Sequence, residues 1–294
     1  MLFSLEVRRI WVVNTKIKSR DSVMKEGDVD SMGLRAVLED GNKHIQQCLS
    51  YGCQQEISVD KMWSYGEVVA FDLETTGLDI KTALPVSYAF CTYQNRLPES
   101  SCEQIVNPGV PIPKEATAIH GITTEEAVER GEDLVAAIRA VFDKLLDLAG
   151  NGIPLVGMNL TYDLSIVSLL GKKFLNTSLY EAGWKGPVID ILVLDRYFAK
   201  DRQGRRNLAS LCGYYGVTNQ TPHRSLSDAQ ASCEILFKMT DQFDINNYEL
   251  ANLYFLQGQW YESWAESYST FLASQNRSPL AKAQRHWPIY GYAL

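Results

Sequence analysis

The chain has 294 residues, 46% of them hydrophobic and 21% charged, the make-up of an ordinary soluble globular protein. Its formal charge of −7 excludes passive, charge-driven binding to nucleic acid or anionic membranes, though not an enzyme with a local basic rim. No apolar run approaches membrane-helix length, and the opening MLFSLEVRRIWVV is broken by Glu6, Arg8 and Arg9, so it lacks the apolar centre of a signal peptide. Six cysteines without such a signal read as reduced thiols of a cytoplasmic protein.

Residues 1–64 show no sustained periodicity and read as an N-terminal extension of unknown structure. Cys48 and Cys53 stand near His44 there, but no second pair completes a zinc set. From 65 to 242 strands and helices alternate. EVVAFDLE reads as a buried strand and LPVSYAFCTY as a second; EQIVNPG is a third, ended by the turn Asn107-Pro108-Gly109. DLVAAIRAVFDKLLDLA then sets Leu134, Ile138, Val141, Leu145 and Leu148 on one helical face. IPLVGMN is a further buried strand, LTYDLSIVSLL a helix, and PVIDILVLDRYF a strand or strand–helix junction. SDAQASCEILFKMTDQF is helical, with its spacing at positions 226, 229, 233, 236 and 240. Three strands followed by alternating helix and strand imply a mixed sheet covered by helices. In the tail, 243–294, Leu253, Trp260, Trp264 and Phe271 fall on a helical stripe. That stripe either packs on the core or meets a second copy or a partner chain.

Four acids stand out. Asp72 and Glu74, two apart on a strand, point to the same face with Cα atoms roughly 6.6 Å apart. Two carboxylates so placed at a strand end converge on divalent cations, or else cap a solvated loop. Thr75-Thr76-Gly77 then ends the strand and lets backbone amides approach a substrate. Asp163 lies one helical turn after Asn159, at the carboxyl end of a strand where α/β proteins place their sites; alone it is equally a simple exposed helix acid. Asp228 falls near a helix start, with Ser225 or Ser227 as N-cap, where the helix dipole alone explains an acid. His223 precedes it by five residues.

The four segments FDLETTGLD, IPKEATAIHGIT, MNLTYDLSIV and HRSLSDAQAS, in this order, resemble the DEDD superfamily of 3′→5′ exonucleases. More specifically they resemble its histidine-bearing, DnaQ-like branch, which includes polymerase proofreading subunits and stand-alone bacterial and phage enzymes. The likeness spans residues 66 to 242 and leaves the N-terminal extension uncovered. It implies a ribonuclease H-like α/β fold: three layers, a five-stranded mixed sheet with helices on both faces, and here a C-terminal helical extension. It implies that Asp72, Glu74, Asp163 and Asp228 hold two Mg²⁺ or Mn²⁺ ions, with Asp72 as the bridge. His223 then takes the proton from the attacking water. In the tyrosine-bearing branch a Tyr falls four residues before the last Asp; Arg224 is there instead.

For substrate contacts the resemblance implies amides around Leu73, Thr75 and Thr76, with the Asn159 side chain, at the terminal nucleotide. His120 either bonds loop backbone or meets the substrate. The basic run Arg196, Lys200, Arg202, Arg205 and Arg206 either holds a phosphate backbone or is a solvated loop. Asp190 is read as structural. The expected activity is 3′→5′ exonuclease on DNA, single-stranded first, releasing nucleoside 5′-monophosphates. The alternatives are an RNA-trimming nuclease and a polymerase-associated proofreading or binding subunit that uses the tail helix, which also offers a homodimer surface.

Overall fold

The computed structural model describes residues 62–291 and residue 293. The expectations for residues 1–61, Cys48, Cys53 and His44 included, lie outside the described residues. Among these, six strands form one sheet: β1 (Val68–Thr75), β2 (Pro85–Gln94), β3 (Leu97–Asn107), β4 (Glu132–Asp133), β5 (Leu155–Gly157) and β6 (Val188–Asp190). Their order is β4-β3-β2-β1-β5-β6. β1 to β3 form an antiparallel meander, while β5 and β6 run parallel to β1. The sheet thus has one strand more than expected, because the two-residue β4 pairs with the end of β3 at Val106 and Asn107. A piece that short has no periodicity to read.

The helices are α1 (Lys114–His120), α2 (Thr124–Arg130), α3 (Leu134–Gly150), α4 (Leu160–Leu175), α5 (Ile191–Phe198), α6 (Leu208–Tyr215), α7 (Ser225–Gln242) and α8 (Leu250–Ser274). They cover both faces, which is why β1 opens with four consecutive buried apolar residues, Val68 to Phe71, rather than alternating. Its Val69, Phe71 and Leu73 join the core shared with α3 and α4, and Phe71 stacks on Phe90 at 4.7 Å. Val68 and Ala70 face the opposite way, into the core built with α5, α6 and α7.

β3 begins at Leu97, well before the expected EQIVNPG, because Asn95 and Arg96 make a tight hairpin with φ of 53° and 63°. Both central residues of such a turn are left-handed, which strains a non-glycine residue. Arg96 is compensated: its guanidinium reaches Asp241 at 2.6 Å, bonds Ser64 and Thr240, and lies 4.1 Å from the Tyr65 ring centroid.

The basic run is largely internal. Asp195, fully buried at the centre of α5, accepts from Arg202 at 3.1 and 2.9 Å, from Arg206, and from the Tyr215 hydroxyl at 2.8 Å. The Arg196 guanidinium lies 3.4 Å from the Trp264 ring centroid. Of the five cations, Lys200 and Arg205 are exposed.

The tail helix α8 packs on the domain, but its inner face is shifted from the expected stripe. Leu253, Gln257, Tyr261, Ala265, Ser269 and Leu272 are buried, Trp260 and Trp264 flank them, and Phe271 is 54% exposed. No helix among the described residues is long and apolar enough to cross a membrane.

Removing one partner of a buried ion pair strands the other charge at a cost of about 3–5 kcal/mol. Asp195→Ala, which leaves Arg202 and Arg206 facing each other, should therefore lose stability on that scale. The measurement is the urea unfolding midpoint at constant slope.

Candidate active site

The alternation along β1 puts Asp72 and Glu74 on the side of Val68 and Ala70, the side that α7 covers. α7 brings Asp228 in its first turn. One carboxylate oxygen from each of Asp72, Glu74 and Asp228 falls within 4.8 Å of the others. Asp163 does not join that set. It arrives from the other helix layer, in the first turn of α4, buried with its carboxylate on the Leu73 amide and close to Asp72. β5 pairs with β1 only at Val69 and Ala70, so the end of β1 is left open for this approach. Gly157 makes the turn into α4 feasible: a Cβ there would lie 2.8 Å from the Phe71 carbonyl oxygen and 2.7 Å from Leu160 Cδ2.

Asp190, at the end of β6, is the structural acid that the sequence implied. It is buried and accepts from the amides of Asn159 at 2.9 Å, Leu160 at 3.0 Å and Leu192 at 2.9 Å. One carboxylate thereby caps the N-termini of both α4 and α5. It also holds Asn159 at a left-handed φ of 61°, leaving the Asn159 side chain exposed.

The loop before α7 is fastened from both sides. His223 has a left-handed φ of 65°, and its amide points at the Asp228 carboxylate, 3.2 and 3.3 Å from the two oxygens. The imidazole itself is exposed. Asn219 donates to Asp228 Oδ1 at 2.6 Å and accepts from Ser227 Oγ at 2.6 Å, while Ser227 takes the Thr221 amide at 3.1 Å. Neither Ser225 nor Ser227 is the N-cap; Arg224 is, without a side-chain bond. The cap comes instead from β3. Glu103 accepts from Ser225 Oγ at 3.2 Å and the Leu226 amide at 3.4 Å, and pairs with Arg224 at 3.3 Å. The sequence carried no signal for Glu103 or Asn219, because both act across loops.

The Thr75–Gly77 turn is closed by Tyr162, the neighbour of Asp163. The Tyr162 hydroxyl donates to the Gly77 carbonyl at 2.5 Å and lies 2.8 Å from Thr75 Oγ1. The Thr76 amide donates to the Leu84 carbonyl at 2.9 Å, and Thr76 Oγ1 accepts the Leu84 amide at 3.1 Å. Thus the Thr76 amide has its partner within the protein, and the Leu73 amide faces the Asp163 carboxylate. His120 is buried, its Nδ1 accepting the Ile122 amide at 3.1 Å, so the ring proton sits on Nε2. That Nε2–H faces the Thr75 carbonyl without closing a bond of good geometry.

Burial pushes Asp72 well above the ordinary carboxylate range, and Asp163, Glu74 and Asp228 push it further. Glu74 is raised to about 7, by burial first and then by Asp228, with Arg224 opposing. Asp163 and Asp228 are also raised by burial, held back by the Asp163 and Leu73 amides in one case and by Asn219 and the His223 amide in the other. Crowded, desolvated carboxylates form an all-oxygen donor set, which fits a hard divalent cation such as Mg²⁺ or Mn²⁺.

A family model described as "Exonuclease" matches residues 69–236. The DNA polymerase III PolC-type of Caldanaerobacter subterraneus subsp. tengcongensis is 30% identical over 177 residues, covering 60% of this chain and 12% of that protein. The DNA polymerase III subunit epsilon-like protein of Rhodobacter capsulatus is 29% identical over 180 residues, covering 58% of this chain and 23% of that one. The chain therefore spans a minor part of these relatives' length. Among solved structures, the zinc-bound complex of E. coli exonuclease I with single-stranded DNA superposes with a TM-score of 0.53. It is 17% identical and covers 62% of this chain and 42% of that one, a likeness of fold alone.

Glu74, raised from an ordinary 4.5 to about 7, binds a proton in the folded chain that the unfolded chain has lost across that interval. Without divalent cations, stability should therefore fall as pH rises from about 4.5 to about 7, and stay lower above it. Glu74→Gln should lessen that slope, the part due to Asp72, Asp163 and Asp228 remaining, and Mg²⁺ should raise the melting temperature more at pH 8 than at pH 5. Thermal melts in chelator and in Mg²⁺ across this range check all three.

Proposed function

Because the chain belongs to the exonuclease family, in its DnaQ-like, histidine-bearing DEDD branch of the ribonuclease H-like superfamily, we propose that it is a divalent-metal-dependent 3′→5′ exonuclease. Its substrate on this reading is DNA, single-stranded first, and its products are nucleoside 5′-monophosphates. The observation that carries it is the convergence of Asp72, Glu74 and Asp228 within 4.8 Å, with Asp163 delivered beside Asp72 by the opposite helix layer. A bound divalent cation would relieve the repulsion among these carboxylates and offset the cost of burying them.

Asp72, Glu74, Asp163 and Asp228 would hold two Mg²⁺ or Mn²⁺ ions, with Asp72 shared, and the bound ions would stabilise charge on the attacking and leaving oxygens. His223, exposed on a loop anchored to Asp228, takes the proton from the attacking water; histidine suits this because its ordinary pKa lies near neutrality. The exposed Asn159 side chain and the Thr75–Gly77 turn seat the terminal nucleotide. Leu73, Thr76 and His120 contribute to that seat by shaping it, since Leu73 and Thr76 have their amides engaged and His120 is buried beneath Thr75. Lys200 and Arg205 remain exposed for phosphate. The PolC-type and epsilon-like relatives support DNA as substrate and a polymerase as partner. A cytoplasmic location completes the reading, supported by the free thiols Cys91, Cys102, Cys212 and Cys233.

A timed digestion of 3′- and 5′-labelled single- and double-stranded oligonucleotides, DNA and RNA, with Mg²⁺ or Mn²⁺, tests this. Shortening from the 3′ end of single-stranded DNA is expected; faster RNA shortening would move the assignment to an RNA-trimming enzyme. Asp72→Ala should abolish nucleotide release while the protein stays folded, and undiminished release would overturn the metal-site assignment. His223→Ala should slow turnover about 10²–10⁴-fold yet still bind Mn²⁺.

The turn gives a separate test. Tyr162→Phe keeps the ring and removes its bonds to Gly77 and Thr75. KM for a short single-stranded substrate should rise several-fold with little change in kcat, read from steady-state kinetics.

A further inference from the structure

Among the described residues β6 is an edge strand, and an edge strand exposes unpaired amides and carbonyls. Here the side chain of Gln257, from the tail helix α8, takes the place of the missing neighbour. Its Oε1 accepts the Asp190 amide at 2.8 Å and its Nε2 donates to the Val188 carbonyl at 2.8 Å. A third bond, from Nε2 to the Leu253 carbonyl at 3.3 Å, ties the amide to its own helix. Gln257 is fully buried, so neither strand group has water as an alternative.

The residue so fixed is the one whose carboxylate caps α4. Asp190 holds the Asn159 and Leu160 amides, and Asp163 lies in the turn that begins there. Asn159 stands in a left-handed conformation, which asparagine tolerates, and the Asp190 carboxylate holds its amide there. An unbroken series of short bonds therefore runs from Gln257 through Asp190 to the start of α4.

We propose that Gln257 is a positioning residue: through Asp190 the C-terminal helix sets the N-terminus of α4 and thereby the place of Asp163 in the metal site. This rests on the exonuclease reading for its consequence, though not for its geometry. The tail is then part of the active site's frame rather than only a surface for a partner. Groups that orient metal ligands from behind commonly change metal affinity or activity about 10–100-fold when removed.

The test compares the full chain with Gln257→Leu, which keeps the volume and loses both strand bonds. Mn²⁺ affinity and kcat should each fall about 10–100-fold while KM for a single-stranded DNA oligonucleotide stays within about twofold. Amide hydrogen exchange at Asn159 and Leu160 should accelerate at least about tenfold, a readout that needs no activity. Ser168→Ala is the control: it removes the bond of α4 to the Ala293 carbonyl, away from Asp190, and should lower the melting temperature without changing Mn²⁺ affinity. If Gln257→Leu does not fold, Gln257→Asn, one methylene shorter, replaces it with the same readouts. A folded Gln257 variant with unchanged Mn²⁺ affinity, kcat and exchange overturns the proposal. An inactive wild-type chain in which the exchange effect still appears overturns the exonuclease reading and leaves the positioning link standing.

Discussion

Repulsion among carboxylates at the end of β1 is the constraint on which the rest of the architecture turns. Asp72, Glu74 and Asp228 crowd within 4.8 Å, Asp163 stands behind Asp72, and burial makes each harder to ionise. Left alone, such groups would swing apart or draw water in. They stay because each is attached to an element that has been fixed by something else: β1 by neighbours on both sides, α4 by Asp190, and α7 by Glu103.

Asp190 and Glu103 do for helix ends what Asp72 and its partners do for a cation. Each places carboxylate oxygens on backbone amides at a helix N-terminus, where the dipole and the unpaired donors favour negative charge. Asp190 reaches across from the next strand, and Glu103 across from the third. For α4 and α7 neither is a local cap, so these two helices start where they do only with the sheet assembled. Asn219 adds the last restraint by holding one oxygen of Asp228, which keeps that side chain from rotating towards solvent. Site geometry and tertiary order are thus one cooperative event.

How much of this was legible follows from range. The β1 run, the amphipathic pattern of α3 and the long helix α7 are written in periodicity, and the four acids with His223 lie in segments whose order alone brought them together on the page. Asp190 was read correctly as structural, yet its double cap was invisible, since its partners lie some thirty residues earlier. Glu103 and Asn219 looked like ordinary polar residues of a strand and a loop. The basic run misled for a related reason: charge density in sequence says nothing of the buried acid, Asp195, that two of its arginines grip. Short elements such as β4 and α6 carry too few residues for a period to emerge.

The tail shows the same lesson in its phase. Large aromatic residues drew the eye to Trp260, Trp264 and Phe271, but the buried line runs through Gln257, Tyr261, Ala265 and Ser269. At Gln257 that line carries an amide because α8 lies against the edge of β6 there; further along, Tyr261 and Ala265 pack with Val193 of α5. A bulky apolar residue at 257 would satisfy burial yet leave the Asp190 amide and the Val188 carbonyl without partners, which costs more than the apolar contact returns. The aromatic side chains are pushed to the flanks, where Trp260 stacks on Tyr197 with ring centroids 3.8 Å apart and Trp264 lies under Arg196. Hydrogen-bond satisfaction at a sheet edge, together with the burial of Leu253, Tyr261, Ala265 and Leu272, therefore sets the rotation of the longest helix among the described residues.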